Sequence, residues 1–76
     1  MNEDRRKTLA KLVSELEIVK SKIEEVKDRE SDTFENLPDG AREGEKGEKM
    51  EAGMEAMQEA MDNIENAIDN LNTATE

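Results

Sequence analysis

The sequence predicts an all-α protein built as an antiparallel helical hairpin that resembles a coiled coil. Two observations support this prediction: both halves of the 76-residue chain place large apolar residues at spacings of three and four, and a single proline lies between the halves. This spacing brings the large side chains onto one side of a helix, where they need another helix to pack against. We therefore expect one domain over residues 1–76, too small for a large core.

The composition limits the class of protein further. Charged residues make up 42% of the chain, hydrophobic residues make up 33%, and the formal net charge is −10. The absence of cysteine and histidine excludes a disulfide framework and a zinc–thiolate site. No apolar run approaches the roughly 18 residues of a membrane span, so we expect no membrane association and a cytoplasmic location.

The first predicted helix spans about residues 3–35. Asn2 can cap its beginning, and the helix dipole favours the acidic Glu3 and Asp4 in its first turn. Its large apolar residues occupy positions a and d of a heptad and predict one buried seam. The a positions are Leu9, Leu16 and Ile23, and the d positions are Leu12, Val19 and Val26.

The second predicted helix spans about residues 43–73 and contains a seven-residue repeat. Each unit has the order large apolar, acidic, variable, large apolar, two polar residues and Ala. Gly44, Gly47 and Gly53 each cost about 1 kcal/mol relative to Ala inside a helix, so we expect the beginning of this helix to fray. Its seam residues are Met50, Met54, Met57, Met61, Ile64, Ile68 and Leu71.

A turn is predicted at about residues 36–42, between the two helices. Pro38 disfavours helix at the residue before it, and it is followed by Asp39 and Gly40, which are common turn formers. If a positions pack against a positions, Ile23 faces Met54, and their numbers sum to 77. Half of that sum places the reversal of the chain near residue 38, in agreement with the turn residues.

The predicted hairpin is too small to be stable alone, so we expect it to form a homodimer with the architecture of a four-helix bundle. Small residues at the g positions of the second helix leave two interpretations open. Either a second helix approaches closely along that edge, or alanine is present because it is the best helix former. The residues concerned are Gly53, Ala60, Ala67 and Ala74.

Acidic residues recur along the second helix and predict a charged outer face. After Lys49 the chain contains no basic residue. Phosphate binding needs Lys or Arg, so we expect no direct nucleic-acid binding. The face either keeps the protein soluble or docks on a basic surface of another protein, for example by imitating a nucleic-acid backbone. The candidate partner-binding residues are Glu48, Glu51, Glu55, Glu59, Asp62, Glu65 and Asp69.

The residue inventory argues against catalysis. Without His or Cys, the hydroxyl side chains have only Lys or carboxylates as neighbours, and we expect no enzyme, no metal site and no cofactor. The residues beside the turn are better candidates for a function. Phe34 and Leu37 either close the end of the hairpin or form an exposed binding hot spot.

Three stretches of the chain carry a resemblance to a known group of proteins. They are Phe34–Pro38, Arg42–Glu48 and Asp62–Leu71. Together they resemble small, mostly uncharacterised helical-hairpin proteins of bacteriophages, prophages and mobile elements. The resemblance favours a protein that binds a host factor as an inhibitor or adaptor, and the restriction or CRISPR machinery is an example of such a factor. Two functions therefore stand side by side: a protein-binding module, and a purely structural homo-oligomerisation unit.

Overall fold

The computed structural model describes residues 1–76 and contains three helices and no strand, which confirms the predicted all-α class. Helix α1 spans Glu3–Glu35, the short helix α2 spans Asp39–Glu43, and helix α3 spans Glu45–Ala74. The chain measures 58 × 15 × 12 Å. These dimensions describe an elongated molecule whose length is set by its two long helices.

The beginning of α1 is capped as its sequence predicts. The side-chain oxygen of Asn2 accepts a hydrogen bond of 2.8 Å from the backbone N–H of Arg5, and two acidic residues follow in the first turn. This bond satisfies one of the backbone donors that the first helical turn leaves without a partner. At the other end, the N–H of Asn36 donates to the carbonyl oxygens of Asp32 and Thr33, and the helix ends at Glu35, three residues before Pro38.

Side-chain contacts show how α1 and α3 lie against each other. The Lys20 Nζ donates to Glu65 Oε2 over 2.9 Å, and the Lys27 Nζ donates to Gln58 Oε1 over 2.6 Å. The residue number rises by seven in α1 while it falls by seven in α3. The two long helices therefore run antiparallel along their contact.

The predicted turn at about residues 36–42 contains a helix, which corrects the sequence prediction. The carbonyl oxygen of Pro38 accepts hydrogen bonds from the N–H groups of Ala41 and Arg42, at 2.9 and 3.0 Å. Asp39 lies in the first turn of α2 and forms an ion pair with Arg42, three residues on. Asp39 and Gly40 thus begin a short helix instead of an open turn. Pro38 before them and the acidic side chain of Asp39 both favour the beginning of a helix.

Gly47 has a packing role that the sequence prediction missed. It is buried near the beginning of α3, and a Cβ atom built on it would overlap the carbonyl oxygen of Arg42 in α2. The backbones of α2 and α3 can approach this closely only because Gly47 has no side chain. Gly53 differs, since a Cβ atom there would meet nothing within 4 Å.

The packed interior is thin. Val13 of α1 and Met50, Met61 and Ile68 of α3 form the buried apolar core, and no side chain is fully buried. The other predicted seam residues that face the interior are only half-buried. They are Leu9, Leu16 and Ile23 in α1, and Met54, Met57, Ile64 and Leu71 in α3.

The predicted seam of α1 needs a correction at its d positions. Leu12, Val19 and Val26 remain 42%, 45% and 50% exposed, so they lie outside the contact with α3. The e positions Val13 and Lys20 are turned toward α3 instead. A lysine at e can pack its apolar stem against the neighbouring helix and keep its ammonium group at the edge. A heptad pattern of apolar residues does not predict this role, because it treats lysine as a polar residue.

The two glycines of α3 predict opposite effects of the same substitution. Gly47→Ala should destabilise the fold by about 1 to 3 kcal/mol, because the new methyl group overlaps the backbone of α2. Gly53→Ala should stabilise it by about 0.5 to 1 kcal/mol through helix propensity. Urea denaturation of both variants measures the difference, and equal shifts for the two would contradict the close approach at Gly47.

Candidate functional site

The seven predicted acidic residues lie together on the outer side of α3. All of them are exposed. They occupy heptad positions e, b and f, which are neighbours on a helix and span a sector of about 100°. We call this surface the acidic ridge, and its residues are Glu48, Glu51, Glu55, Glu59, Asp62, Glu65 and Asp69.

One carboxylate of the acidic ridge is paired with a base of the same chain. Glu65 forms a salt bridge of 2.9 Å with Lys20 of α1, and the two side chains stay 50% and 35% exposed. Asp62 accepts a hydrogen bond of 3.0 Å from Gln58. None of the other ridge carboxylates lies within 4.0 Å of a basic group. Most of the charge of the ridge is therefore available to a partner.

The salt bridge also alters the titration of Lys20. The hydrogen bond to the Glu65 carboxylate raises the pKa of Lys20, and the negative charges of Glu24 and Asp62 act in the same direction. Partial desolvation of the ammonium group opposes this effect. Lys20 therefore stays charged at neutral pH and neutralises one carboxylate of the ridge.

The turn residues are not fully exposed. Phe34 and Leu37 are both half-buried. Phe34 lines a small cavity together with four charged residues of α2 and α3: Asp39, Arg42, Glu43 and Glu51. This arrangement favours closure of the helix end over an open hot spot, because the ring already has neighbours within the chain.

A second surface lies beside the small-residue edge of the second helix, where the sequence left close approach of another helix open. It is an open groove of about 410 Å³ between α1 and α3, on the flank opposite the Lys20–Glu65 bridge. Its floor is formed by small side chains of α3, and the exposed d residues of α1 form its wall. The groove is lined by Val19, Lys22, Ile23, Val26, Ala56, Met57 and Ala60.

A signal for this groove is present in the sequence. Ala60 repeats with Gly53, Ala67 and Ala74 at position g, and Ala56 lies beside them at c. Such small residues cannot cover the large side chains at d of a neighbouring helix. The alanine repeat therefore marks the edge of α3 where apolar side chains of α1 stay uncovered.

No protein-family model, curated protein or solved structure matches this chain. None of the three helices is long and apolar enough to cross a membrane. No group of three or more carboxylates is arranged to hold a metal ion.

Truncation of Phe34 tests its role at the helix end. Phe34→Ala should lower the free energy of unfolding by about 1 to 3 kcal/mol, below the value for a fully buried ring because Phe34 is only half-buried. Phe34→Leu, the control, should lose less than about 1.5 kcal/mol because it keeps most of the apolar volume. A melting curve of the Ala variant that coincides with the parent would show that Phe34 does not close the helix end.

The Lys20–Glu65 pair should make the stability of the fold depend on pH, and the direction of this dependence follows from the raised pKa of Lys20. The pKa of Lys20 lies above its ordinary value of 10.5, so the pair stabilises the fold fully below that pH. Its contribution is lost as the pH rises through the raised pKa. In chemical denaturation, the parent should be slightly more stable than Lys20→Met at neutral pH, and the difference should close at high pH. A constant difference would show that the lysine acts through packing of its stem alone.

Proposed function

We propose that the protein is a non-enzymatic protein-binding module that docks on a basic surface of another protein through the acidic ridge. The observation that supports this proposal is the concentration of exposed carboxylates in one sector of α3, only one of which has a basic partner in the chain. A ridge of this kind attracts a cationic surface at long range and orients it during association.

The spacing of the acidic ridge indicates what kind of surface it fits. From Glu48 to Asp69 the ridge covers 22 residues, and its ends are about 32 Å apart along the helix. Seven carboxylates over that length give about one charge per 5 Å. Duplex DNA carries one charge per about 1.7 Å and each strand one per about 3.4 Å. The ridge therefore imitates a single strand better than a duplex, and a narrow cationic groove is the matching site.

The partner that we propose is a bacterial host protein. The resemblance of the sequence to hairpin proteins of phages and mobile elements points to an inhibitor or adaptor of a host factor, including defence proteins that handle nucleic acid. Such proteins carry Lys and Arg in the grooves that bind phosphates. An acidic helix in that groove would exclude the nucleic acid without any chemical reaction.

A second candidate function is homo-oligomerisation, and a separate observation favours it. Four of the five exposed large hydrophobic residues belong to one outer side of α1. A thin core beside an exposed apolar surface is typical of a chain that completes its fold by association. We propose a homodimer in which two hairpins form a four-helix bundle. This dimer is compatible with the acidic ridge, because the ridge lies on another side of the molecule.

Neutralising three ridge carboxylates tests the main proposal. The variant carries Glu55→Gln, Asp62→Asn and Asp69→Asn, which keep side-chain size and remove three charges from one stripe. We expect it to fold like the parent and to lose capture of one stoichiometric basic protein from bacterial lysate. The captured complex of the parent should weaken steeply with ionic strength, and added nucleic acid should compete for the partner.

A matched control removes the same charge from the other long helix. It carries Glu17→Gln, Glu24→Gln and Asp28→Asn, all exposed positions of α1, so the net charge of both triple variants is the same. Only the α3 variant should lose the partner. Equal binding by the parent and both variants would reduce the ridge to a solubility feature and rule out the proposed docking.

A further inference from the structure

The outer side of α1 is apolar in a molecule that is otherwise strongly acidic. Leu12, Ile18, Val19 and Val26 are 42% to 55% exposed, and they lie within about 21 Å along the helix. A run of exposed apolar residues of this size is typical of an interaction surface. Four charged residues, two basic and two acidic, lie among them. We call this surface the α1 outer face, and its residues are Lys11, Leu12, Glu15, Ile18, Val19, Lys22, Glu25 and Val26.

We propose that the α1 outer face binds the same face of a second copy of this chain, with the two α1 helices antiparallel and the two-fold axis beside Val19. The proposal rests on the homodimer proposed above and specifies its interface. In such an isologous contact, facing residue numbers have a nearly constant sum, and every contact occurs twice.

When two copies of the α1 outer face meet antiparallel, each charged residue faces a residue of opposite charge in the other copy. Glu15 faces Lys22 of the second copy, and these numbers sum to 37. Lys11 faces Glu25 of the second copy, with a sum of 36. One register therefore forms four opposite-charge pairs across the dimer, two of each kind. The face carries two basic and two acidic residues, so its net charge is zero.

The apolar residues fit the same register. Leu12 faces Val26 of the second copy, with a sum of 38, and Val19 faces its own equivalent with the same sum. Ile18 lies next to the axis as well. The groove lined by Val26 and Met57 is then filled by Leu12 of the second copy, which covers surface that the single chain leaves open. Apolar contact and charge pairing thus select one arrangement.

Other arrangements of the two α1 helices bring like charges together. A parallel pair places Glu15 opposite Glu15 and Lys22 opposite Lys22. An antiparallel shift by one heptad makes the sum 30 or 44, which again places Glu15 or Lys22 opposite itself. Like-charge juxtaposition at such positions is destabilising. Of these arrangements, only the register centred beside Val19 avoids it.

The charge of the whole chain favours a second copy on this face. Two chains of net charge −10 repel each other, so they associate most easily where both surfaces are neutral. The neighbouring edge of α3, at positions c and g, contributes no carboxylate: its residues include Lys49, Ala56, Ala60 and Asn63. The acidic ridge points to another side of the molecule and stays outside this contact.

Single-cysteine variants test the register, because the native chain contains no cysteine. Under mild oxidation, Val19→Cys should form a disulfide-linked dimer, since the two Val19 positions meet at the axis. Leu12→Cys alone should not, because its two copies are separated by about 21 Å of helix. A mixture of Leu12→Cys and Val26→Cys should cross-link. Asn66→Cys, exposed on the outer side of α3, is the control for random collision.

Charge reversal tests the same register without a covalent bond. Glu15→Lys alone and Lys22→Glu alone each make two like-charge pairs, and each should weaken the dimer about tenfold in sedimentation equilibrium. A mixture of the two variants restores both pairs and should form a heterodimer of parental affinity. Glu24→Lys, on the opposite flank of α1, makes the same change in net charge as Glu15→Lys and should not weaken the dimer.

The outcomes separate this interface from the dimer itself. If the parent protein sediments as a monomer at micromolar concentration, both the homodimer and the proposed α1 interface are overturned. A dimer in which Leu12→Cys cross-links with itself, and not with Val26→Cys, would overturn the antiparallel register and leave the homodimer standing. Specific cross-linking of the mixed pair together with rescue in the charge-swapped mixture establishes the proposed interface.

Discussion

Two packed helices enclose only a thin interior, and this geometric limit governs the rest of the molecule. Each helix turns only one strip of its surface toward its neighbour, so no side chain is fully buried. The two flanks of the contact are then completed differently. Lys20 and Lys27 reach across one flank to polar groups of α3. On the other flank, Ala56 and Ala60 are too small to cover the side chains of α1, and an apolar groove remains.

The helices could be predicted from the sequence, but the rotation of α1 about its axis could not. Helical periodicity is a local property, and it is visible in the spacing of apolar residues. The strip of α1 that faces α3 depends on the shape of both helices. Lys20, at an e position, is half-buried and bridges to Glu65 of α3. Val19 is correspondingly left exposed, although its position in the heptad predicts burial.

The candidate sites also differ in how far the sequence predicts them. The acidic ridge could be predicted because an outer face follows from helical period and charge alone. The pairing of Glu65 with Lys20 could not be predicted, because the numbers of this pair, like those of Lys27 and Gln58, sum to 85, whereas the register predicted from the heptads gives 77. The role of Gly47 is of the same kind. Its cost within a helix is a local property, whereas the approach of Arg42 that requires it is a tertiary distance.

The separation of charge from apolar surface makes the two proposed associations compatible with each other. The acidic ridge occupies positions b, e and f of α3, while the apolar groove lies along its c and g edge. Salt weakens attraction between the ridge and a basic partner, because these exposed charges act over a Debye length of about 8 Å at physiological ionic strength. The same screening lowers the repulsion between two chains of net charge −10. A rise in ionic strength therefore weakens the attraction of the ridge for a basic partner and also weakens the repulsion that opposes the association of two chains.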